Sequence, residues 1–272
     1  SYQRTKSAEN GNDGKRNKLS FIVVIPSRFQ STRLPGKPLA DIGGKPMIQH
    51  VYERAQLSEA ARVVVATDDE RISEVVQAFS GEVLMTSPHH PSGTDRLAEV
   101  AELLNLSGDS VVVNVQGDEP LIPAAVINQV AGNLIANPDF AAATLSHAIH
   151  RKEEFLDKSA VKVVSDSCGQ ALYFSRAPIP WPRDLKLESE LEEELPDSFS
   201  PQRHIGIYAY RVALLEQFVS WPKSPLEELE SLEQLRILHN GQKIHVEPCI
   251  EPVPAGVDTP ADLERVRNAL IT

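Results

Sequence analysis

Short β-branched runs alternate with stretches of helical periodicity along the first 140 residues, and this alternation limits the possible folds more than any other property of the chain. Runs at 21–25, 62–66, 82–85 and 110–115 read as strands, the continuously apolar ones covered on both faces. Helical patterns at 47–56, 69–79, 94–104 and 123–136 follow them, the last starting with Pro123 near its first turn, where a missing amide is harmless. That order predicts βαβ units, a mainly parallel sheet and the α/β class, with residues 20–140 as a nucleotide-binding half.

The second half, 141–272, has a different texture. Strands are expected at 141–145, 161–165, 171–175, 204–210 and 244–246, and helices at 212–219, 228–238 and 260–270, as α+β material added to the sheet. Thr259 should cap the closing helix, with Pro260 at its first position. The acidic segment 184–200 shows little apolar periodicity and is expected to form a mobile, solvated loop. Residues 1–19 are polar and aperiodic, which predicts a disordered extension or a cloning remnant that the chemistry does not need.

With 272 residues and 41% hydrophobic content, the chain can bury one large core without disulfides. Cys168 and Cys249 lie far apart and outside any CxxC pattern, as expected of reduced thiols in a cytosolic protein. The net charge of −11, from 27 basic and 38 acidic residues, argues against broad binding of nucleic acid or anionic membrane. No run approaches the roughly 20 apolar residues of a membrane helix, and the first residues lack the apolar core of a signal peptide, so a soluble cytoplasmic protein is expected.

Against this acidic background the segment 25–38, IPSRFQSTRLPGKP, stands out. It begins where the first strand ends, the position at which open α/β sheets bind ligands. Arg28, Arg33 and Lys37 offer cationic donors, and Gly36 lets the backbone approach a polyphosphate. The segment is neither GxxxxGK[ST] nor GxGxxG, which weakens both familiar nucleotide readings. A solvated basic turn is the competing interpretation.

Asp118 follows the run 111–115 and suits a magnesium ligand, since magnesium favours one or two carboxylates plus substrate phosphates. Asp258, in a glycine-bounded turn, could share the ion, although each carboxylate taken singly, Asp258 especially, is more often a turn or cap residue. The sequence 92–96, SGTDR, opens a helix with a hydroxyl and free amides suited to a base or phosphate, or simply to capping. Arg176 at a strand end and His204 beside Arg203 would suit a sugar acid, or a surface ion pair. Glu233 and Gln234 flank the apolar face that Leu229, Leu232, Leu235 and Leu238 define on the expected helix, where they could grip sugar hydroxyls or be solvated.

With these residues assembled, the chain resembles the 3-deoxy-manno-octulosonate (Kdo) cytidylyltransferases over 20–269. The matching blocks are IPSRFQSTRLPGKPL, VATDDERI, HPSGTDRLAEV, VVNVQGDEP, VKVV, LYFSRAPIPWPRD, RHIGIYAYR, LEQLR and GVDTP. Ser27 stands where the family motif usually has alanine, a small residue for a small one. The CMP-sialic acid synthetases share the general fold but differ in the phosphate loop.

The resemblance implies a Rossmann-like, glycosyltransferase-A type nucleotidyltransferase with a smaller α+β lobe for dimerisation and sugar binding. It implies a magnesium-dependent homodimer that makes CMP-Kdo and pyrophosphate from CTP and Kdo for lipopolysaccharide. Arg28 and Lys37 would hold the triphosphate, Ser92, Gly93 and Gln116 the cytidine, and Asp118 and Asp258 the metal. Arg176, His204, Tyr208, Glu233 and Gln234 would form the sugar-acid pocket, with Arg176 or a neighbouring cation on the carboxylate. The competing readings are a cytidylyltransferase for another sugar acid, 8-amino-Kdo or a sialic acid, and a CTP-binding module without catalysis.

Overall fold

The run 21–25 lies at the middle of a sheet, as its uninterrupted apolar character requires: Val23, Val24 and Ile25 are completely buried. The structure, a computed structural model, describes residues 20–30, 33–184 and 193–271. The segment 1–19 lies outside these. The elements are β1 (Phe21–Ser27), a 3-10 turn (Lys37–Leu39), the hairpin β2 (Asp41–Ile42) and β3 (Lys45–Pro46), α1 (Met47–Gln56), β4 (Arg62–Thr67), α2 (Glu70–Ala78), β5 (Val83–Met85), α3 (Gly93–Leu103), β6 (Val111–Asn114) and α4 (Ala124–Ala136). They continue with β7 (Ala142–Ala148), α5 (Lys152–Leu156), β8 (Lys162–Ser165), β9 (Ala171–Ser175), β10 (Gln202–Arg211), α6 (Val212–Phe218), α7 (Pro225–Glu230), α8 (Gln234–His239), β11 (Ile244–Pro248) and α9 (Pro260–Ile271).

Strand order in the main sheet is β11-β7-β10-β6-β1-β4-β5, with the β8–β9 hairpin joined to β10. β1 pairs in parallel with β4 and β6, and β4 with β5, so the nucleotide side is fully parallel. β10 enters antiparallel between β6 and β7. Both halves of the chain therefore contribute strands to one sheet. One face is covered by α1, α2 and α4, packing Ile48, Val76 and Val130 on Val23, Val65 and Ile207. The other is covered by α3, α6 and α8, packing Leu97, Leu215 and Leu235 on Val24, Ala66 and Val112. Helices on both faces leave the carboxyl ends of β1, β4 and β6 as the open rim for ligands.

A smaller cluster, Ile42, Met47, Val257, Leu263 and Val266, fastens α9 to the β2–β3 hairpin. It holds the 256–258 turn against the loop after β6, where the Val257 amide donates to the Asp118 carbonyl at 2.8 Å. Thr259 accepts from the Asp262 amide at 3.2 Å and Asp262 from the Thr259 amide at 2.9 Å, a reciprocal cap at the start of α9.

One expectation is corrected and another refined. The helix at 228–238 is broken: α7 starts earlier, through a capping box of Ser224 and Glu227, and stops at Ser231, which has φ +51°. Arg176 binds the Glu230 and Ser231 carbonyls, drawing them away from a continuing ladder, and Leu229 is 82% exposed rather than on a buried face. The segment 184–200 is exposed over most of its described part, residues 184 and 193–200, as a solvated loop would be, and differs from the expectation only in being tied to the body of the fold. Leu195 and Phe199 pack on Ile149 and Phe155, and backbone bonds join Glu193 to Lys152 and Leu195 to His150. Residues 185–192 lie outside the described set.

Candidate active site

The basic segment after β1 folds around Phe29. Gly36, at φ +68°, donates its amide to the Phe29 carbonyl at 3.2 Å, and a Cβ there would come 3.2 Å from the Phe29 ring. The Arg71 guanidinium stacks on the same ring, 3.4 Å from its centroid. This closure sends Lys37 inward. Its ammonium donates to Asp118 Oδ2 at 2.6 Å and to Asp258 Oδ1 at 3.3 Å, while Arg33 lies 3.5 Å from Asp258 at the rim. Gly256 permits the approach, since a Cβ there would sit 3.0 Å from the Asp118 carbonyl oxygen.

The result is a cleft of about 470 Å³ lined by Arg28, Arg33, Lys37, Gln116, Asp118 and Asp258 together with Gly93. Lys37 and Asp258, 221 positions apart, thus meet in one wall of charge. Ser92 is used differently: as the cap of α3 its hydroxyl oxygen accepts from the Asp95 amide at 3.4 Å and donates to Asp95 Oδ2 at 2.6 Å, and Gly93 rather than Ser92 lines this cleft.

Beside it lies a second cavity of about 260 Å³, lined by His204, Tyr208, Glu233 and Gln234 with Thr94, Asn114 and Tyr210. β10 brings the first two together through a register shift between Ile205 and Tyr208. The buried Thr144 hydroxyl sits 3.0 Å and 2.8 Å from the Ile205 and Ile207 carbonyls freed by that shift. A hydroxyl has one proton, so with carbonyls as its acceptors the Nε2 of His204, 3.0 Å away, must be the donor to Thr144. Burial pushes the His204 pKa down to about 3, so the ring is a neutral Nε2–H imidazole. Tyr208 stacks on Tyr210 at 5.4 Å, and burial raises both phenols well above their ordinary value. Among the described residues the buried Tyr208 hydroxyl and Asn114 Oδ1 meet no hydrogen-bond partner. Glu233 accepts from the Thr94 hydroxyl.

Arg176 is not brought into this cavity. Its side chain donates to the carbonyls of Glu230, Lys158 and Ser231, at 2.6, 3.2 and 3.4 Å, fixing the α7–α8 turn that carries Glu233. Asn114, Thr144 and Tyr210 were not singled out from the sequence, and Thr94 and Gly256 entered only as members of the 92–96 loop and the turn at Asp258. Tyr210 had a signal in its two-residue spacing from Tyr208, whereas Asn114 and Thr144 read as ordinary strand interior.

Among the described residues no three His, Cys, Asp or Glu side chains converge as a metal cage. The donor set still fits a hard divalent ion. Asp118 and Asp258 already converge on one cation, the Lys37 ammonium, and two carboxylates leave the remaining positions to phosphate oxygens and water. Glu119 is set apart from this pair: burial and the neighbouring Asp118 charge push its pKa up to about 8, which keeps it protonated at neutral pH.

A doubly covered α/β sheet with a basic loop, two carboxylates and an adjoining polar cavity at its rim defines a nucleotidyltransferase. The sequence profile of the cytidylyltransferase family matches residues 22–244, and the chain belongs to that family. It is 62% identical to the 3-deoxy-manno-octulosonate cytidylyltransferase of Cellvibrio japonicus over 252 residues, 93% of this chain and 98% of the relative. The enzyme of the same name from Saccharophagus degradans is 62% identical over 253 residues, 93% of this chain and 99% of the relative. A solved CMP:2-keto-3-deoxy-manno-octonic acid synthetase complexed with CTP superposes with a TM-score of 0.82 at 45% identity, covering 93% of this chain and 98% of that one. The resemblance read from the motif blocks is borne out, as is the expected fold class.

Proposed function

We propose that this enzyme transfers CMP from CTP to Kdo, releasing pyrophosphate, with the triphosphate in the basic cleft and the sugar acid in the adjoining cavity. The observation that carries the reading is the wall the two spaces share: Gly93 and Gln116 line both. A nucleotide α-phosphate lying along that wall would face the sugar, a proximity that can supply much of the rate enhancement.

In this mechanism the anomeric hydroxyl attacks the α-phosphorus in line. The new bond is sugar oxygen to phosphorus, the bond broken joins the α-phosphorus to the bridging oxygen, and the hydroxyl proton leaves to water. Arg28 and Lys37 stabilise negative charge on the departing pyrophosphate. Asp118 and Asp258 would hold magnesium, which when bound would supply Lewis-acid neutralisation of phosphate charge. His204, Tyr208, Glu233 and Gln234 orient the sugar hydroxyls, and Arg176 acts from behind by fixing the turn that presents Glu233. Neither Cys168 nor Cys249 has a part.

We place the enzyme in the cytoplasm as a homodimer serving lipopolysaccharide synthesis. The unpaired thiols of Cys168 and Cys249 agree with that compartment, and no described helix is long and apolar enough to cross a membrane. Leu172 and Trp181, each 57% exposed, offer apolar surface in the second half for another copy to cover. The deciding test is pyrophosphate release with CTP and magnesium, offering Kdo, 8-amino-Kdo and N-acetylneuraminate in parallel. Release with Kdo alone supports the reading, release only with another acid reassigns the sugar, and CTP binding without release from any of them overturns it.

A further inference from the structure

The loop between β5 and α3, residues 86–92, forms no part of the chemistry described so far, yet it touches the phosphate-binding segment directly. Arg28 Nη2 donates to the His90 carbonyl oxygen at 2.7 Å, a bond spanning 62 positions. Arg28 is otherwise an exposed side chain at the end of a strand, with many rotamers open to it. The acceptor that holds it is a backbone oxygen, so its position is only as well defined as the loop that carries it.

What fixes that loop is one carboxylate on α3. Glu99 Oε2 accepts from the Ser87 amide at 2.9 Å, near the start of the loop, and is hydrogen-bonded to the His90 ring Nε2 further along it. A single oxygen thus fastens the loop at two points three residues apart. Burial raises the Glu99 pKa, but the bonds from the His90 ring and the Ser87 amide, with the nearby Arg96 charge, more than offset it. Arg96, wholly buried one turn earlier, anchors the loop's first residue by donating to Thr86 Oγ1 at 2.6 Å, and pairs with Asp68 at 3.2 Å. Glu99 lines a separate groove behind α3, not the nucleotide cleft, and cannot reach a ligand placed among Arg28, Lys37 and Asp118.

We propose that Glu99 is a positioning residue for the nucleotide: through Ser87 and His90 it holds the carbonyl that aims the Arg28 guanidinium at the triphosphate. The inference rests on the assignment of Arg28 to CTP. Its benefit is preorganisation, since a guanidinium already held in place loses less freedom when phosphate arrives. The effect should therefore appear in nucleotide affinity and should vanish when there is no Arg28 to aim.

A double-mutant cycle on the full chain tests this: wild type, Glu99→Ala, Arg28→Ala and the double variant, each measured for CTP KM, Kdo KM, kcat and Tm. Arg28→Ala by itself reads the underlying assignment, and an unchanged CTP KM there removes that assignment whatever Glu99 does. Given the expected rise, Glu99→Ala should raise CTP KM about tenfold in the wild-type background, leave Kdo KM within twofold, and add less than twofold in the Arg28→Ala background. An equal rise in both backgrounds would show that Glu99 acts on the fold or the cleft in general, and overturns the proposal. No rise in the wild-type background overturns it as well. Should Glu99→Ala not fold, His90→Ala removes the tether nearest the carbonyl while keeping the carbonyl itself, and the same cycle applies to it.

Discussion

The ammonium of Lys37 lies 2.6 Å from Asp118 Oδ2, so a cation from the phosphate loop occupies the carboxylate proposed to take the metal. This ammonium offsets part of the charge of the two carboxylates and so lets them stand together, and the proposed mechanism would have Lys37 move its bonds to phosphate oxygens. Lys37→Ala should therefore reduce turnover about a hundredfold or more, the usual cost of losing a donor that acts mainly in the transition state. Unchanged CTP kinetics in that variant would remove Lys37 from the triphosphate site.

Asp118→Ala and Asp258→Ala should each lose turnover on a similar scale while Tm changes little. Asp258 is largely exposed, and in both cases the backbone bond from Val257 to the Asp118 carbonyl survives. Titration with magnesium is the informative readout. Near-normal turnover at saturating metal in either variant would show that its carboxylate is not a ligand.

Gly256 tests the positioning of this pair without touching either carboxylate. An added Cβ would lie 3.0 Å from the Asp118 carbonyl oxygen and 3.6 Å from Glu119 Cγ, and backbone on one side cannot yield without moving Asp118. Gly256→Ala should lower kcat at least several-fold with a small change in Tm, since the conflict is confined to the rim. Wild-type kinetics in this variant would mean that the separation of Asp118 and Asp258 is not critical.

Among the described residues the buried Tyr208 hydroxyl has no hydrogen-bond partner, and an unmet hydroxyl costs stability. Tyr208→Phe should hold or slightly raise Tm, and should raise the KM for the sugar acid if that hydroxyl meets substrate. A falling Tm with unchanged KM would make Tyr208 a packing residue, tied to Tyr210 alone.

These positions show where the sequence was informative. Strands 171–175 and helix 47–56 were legible to the residue because apolar period and flanking turns agree, and the basic loop was legible because cations are conspicuous in an acidic chain. The break between α7 and α8 was not. Leucine spacing alone asks for one helix, and only the tertiary capture of two carbonyls by Arg176, some 54 positions away, ends it. The same long-range bonds explain why Arg176, which reads as a free cation at a strand end, stands behind the cavity of His204 and Glu233. Asn114 and Thr144 escaped notice because a buried polar residue within a strand looks the same in sequence whether it lines a cavity or mends a bulge.

Glu227 and Arg236 link this local architecture to pH. Arg236 donates to Glu227 through Nε at 2.8 Å and Nη2 at 2.5 Å, each side chain is 7% exposed, and the guanidinium also covers the Phe218 ring at 4.1 Å. Burial pushes the Glu227 carboxyl up, but the Arg236 bonds and the Ser224 amide hold it below its ordinary 4.5. A carboxylate lowered in the folded state stabilises the protein fully above its unfolded value and loses that contribution as pH falls through the folded one. Glu227→Gln should therefore lower Tm most above about pH 4.5, with the gap to wild type closing as the pH drops further. Arg236→Ala leaves a buried carboxylate unpaired and should cost about 3–5 kcal/mol at neutral pH. Because α7 and α8 carry Glu233 and Gln234, both variants should also raise the KM for the sugar acid more than that for CTP. A Tm gap that stays constant from pH 7 to pH 3 would show that the pair stabilises through packing on Phe218 rather than through its charges.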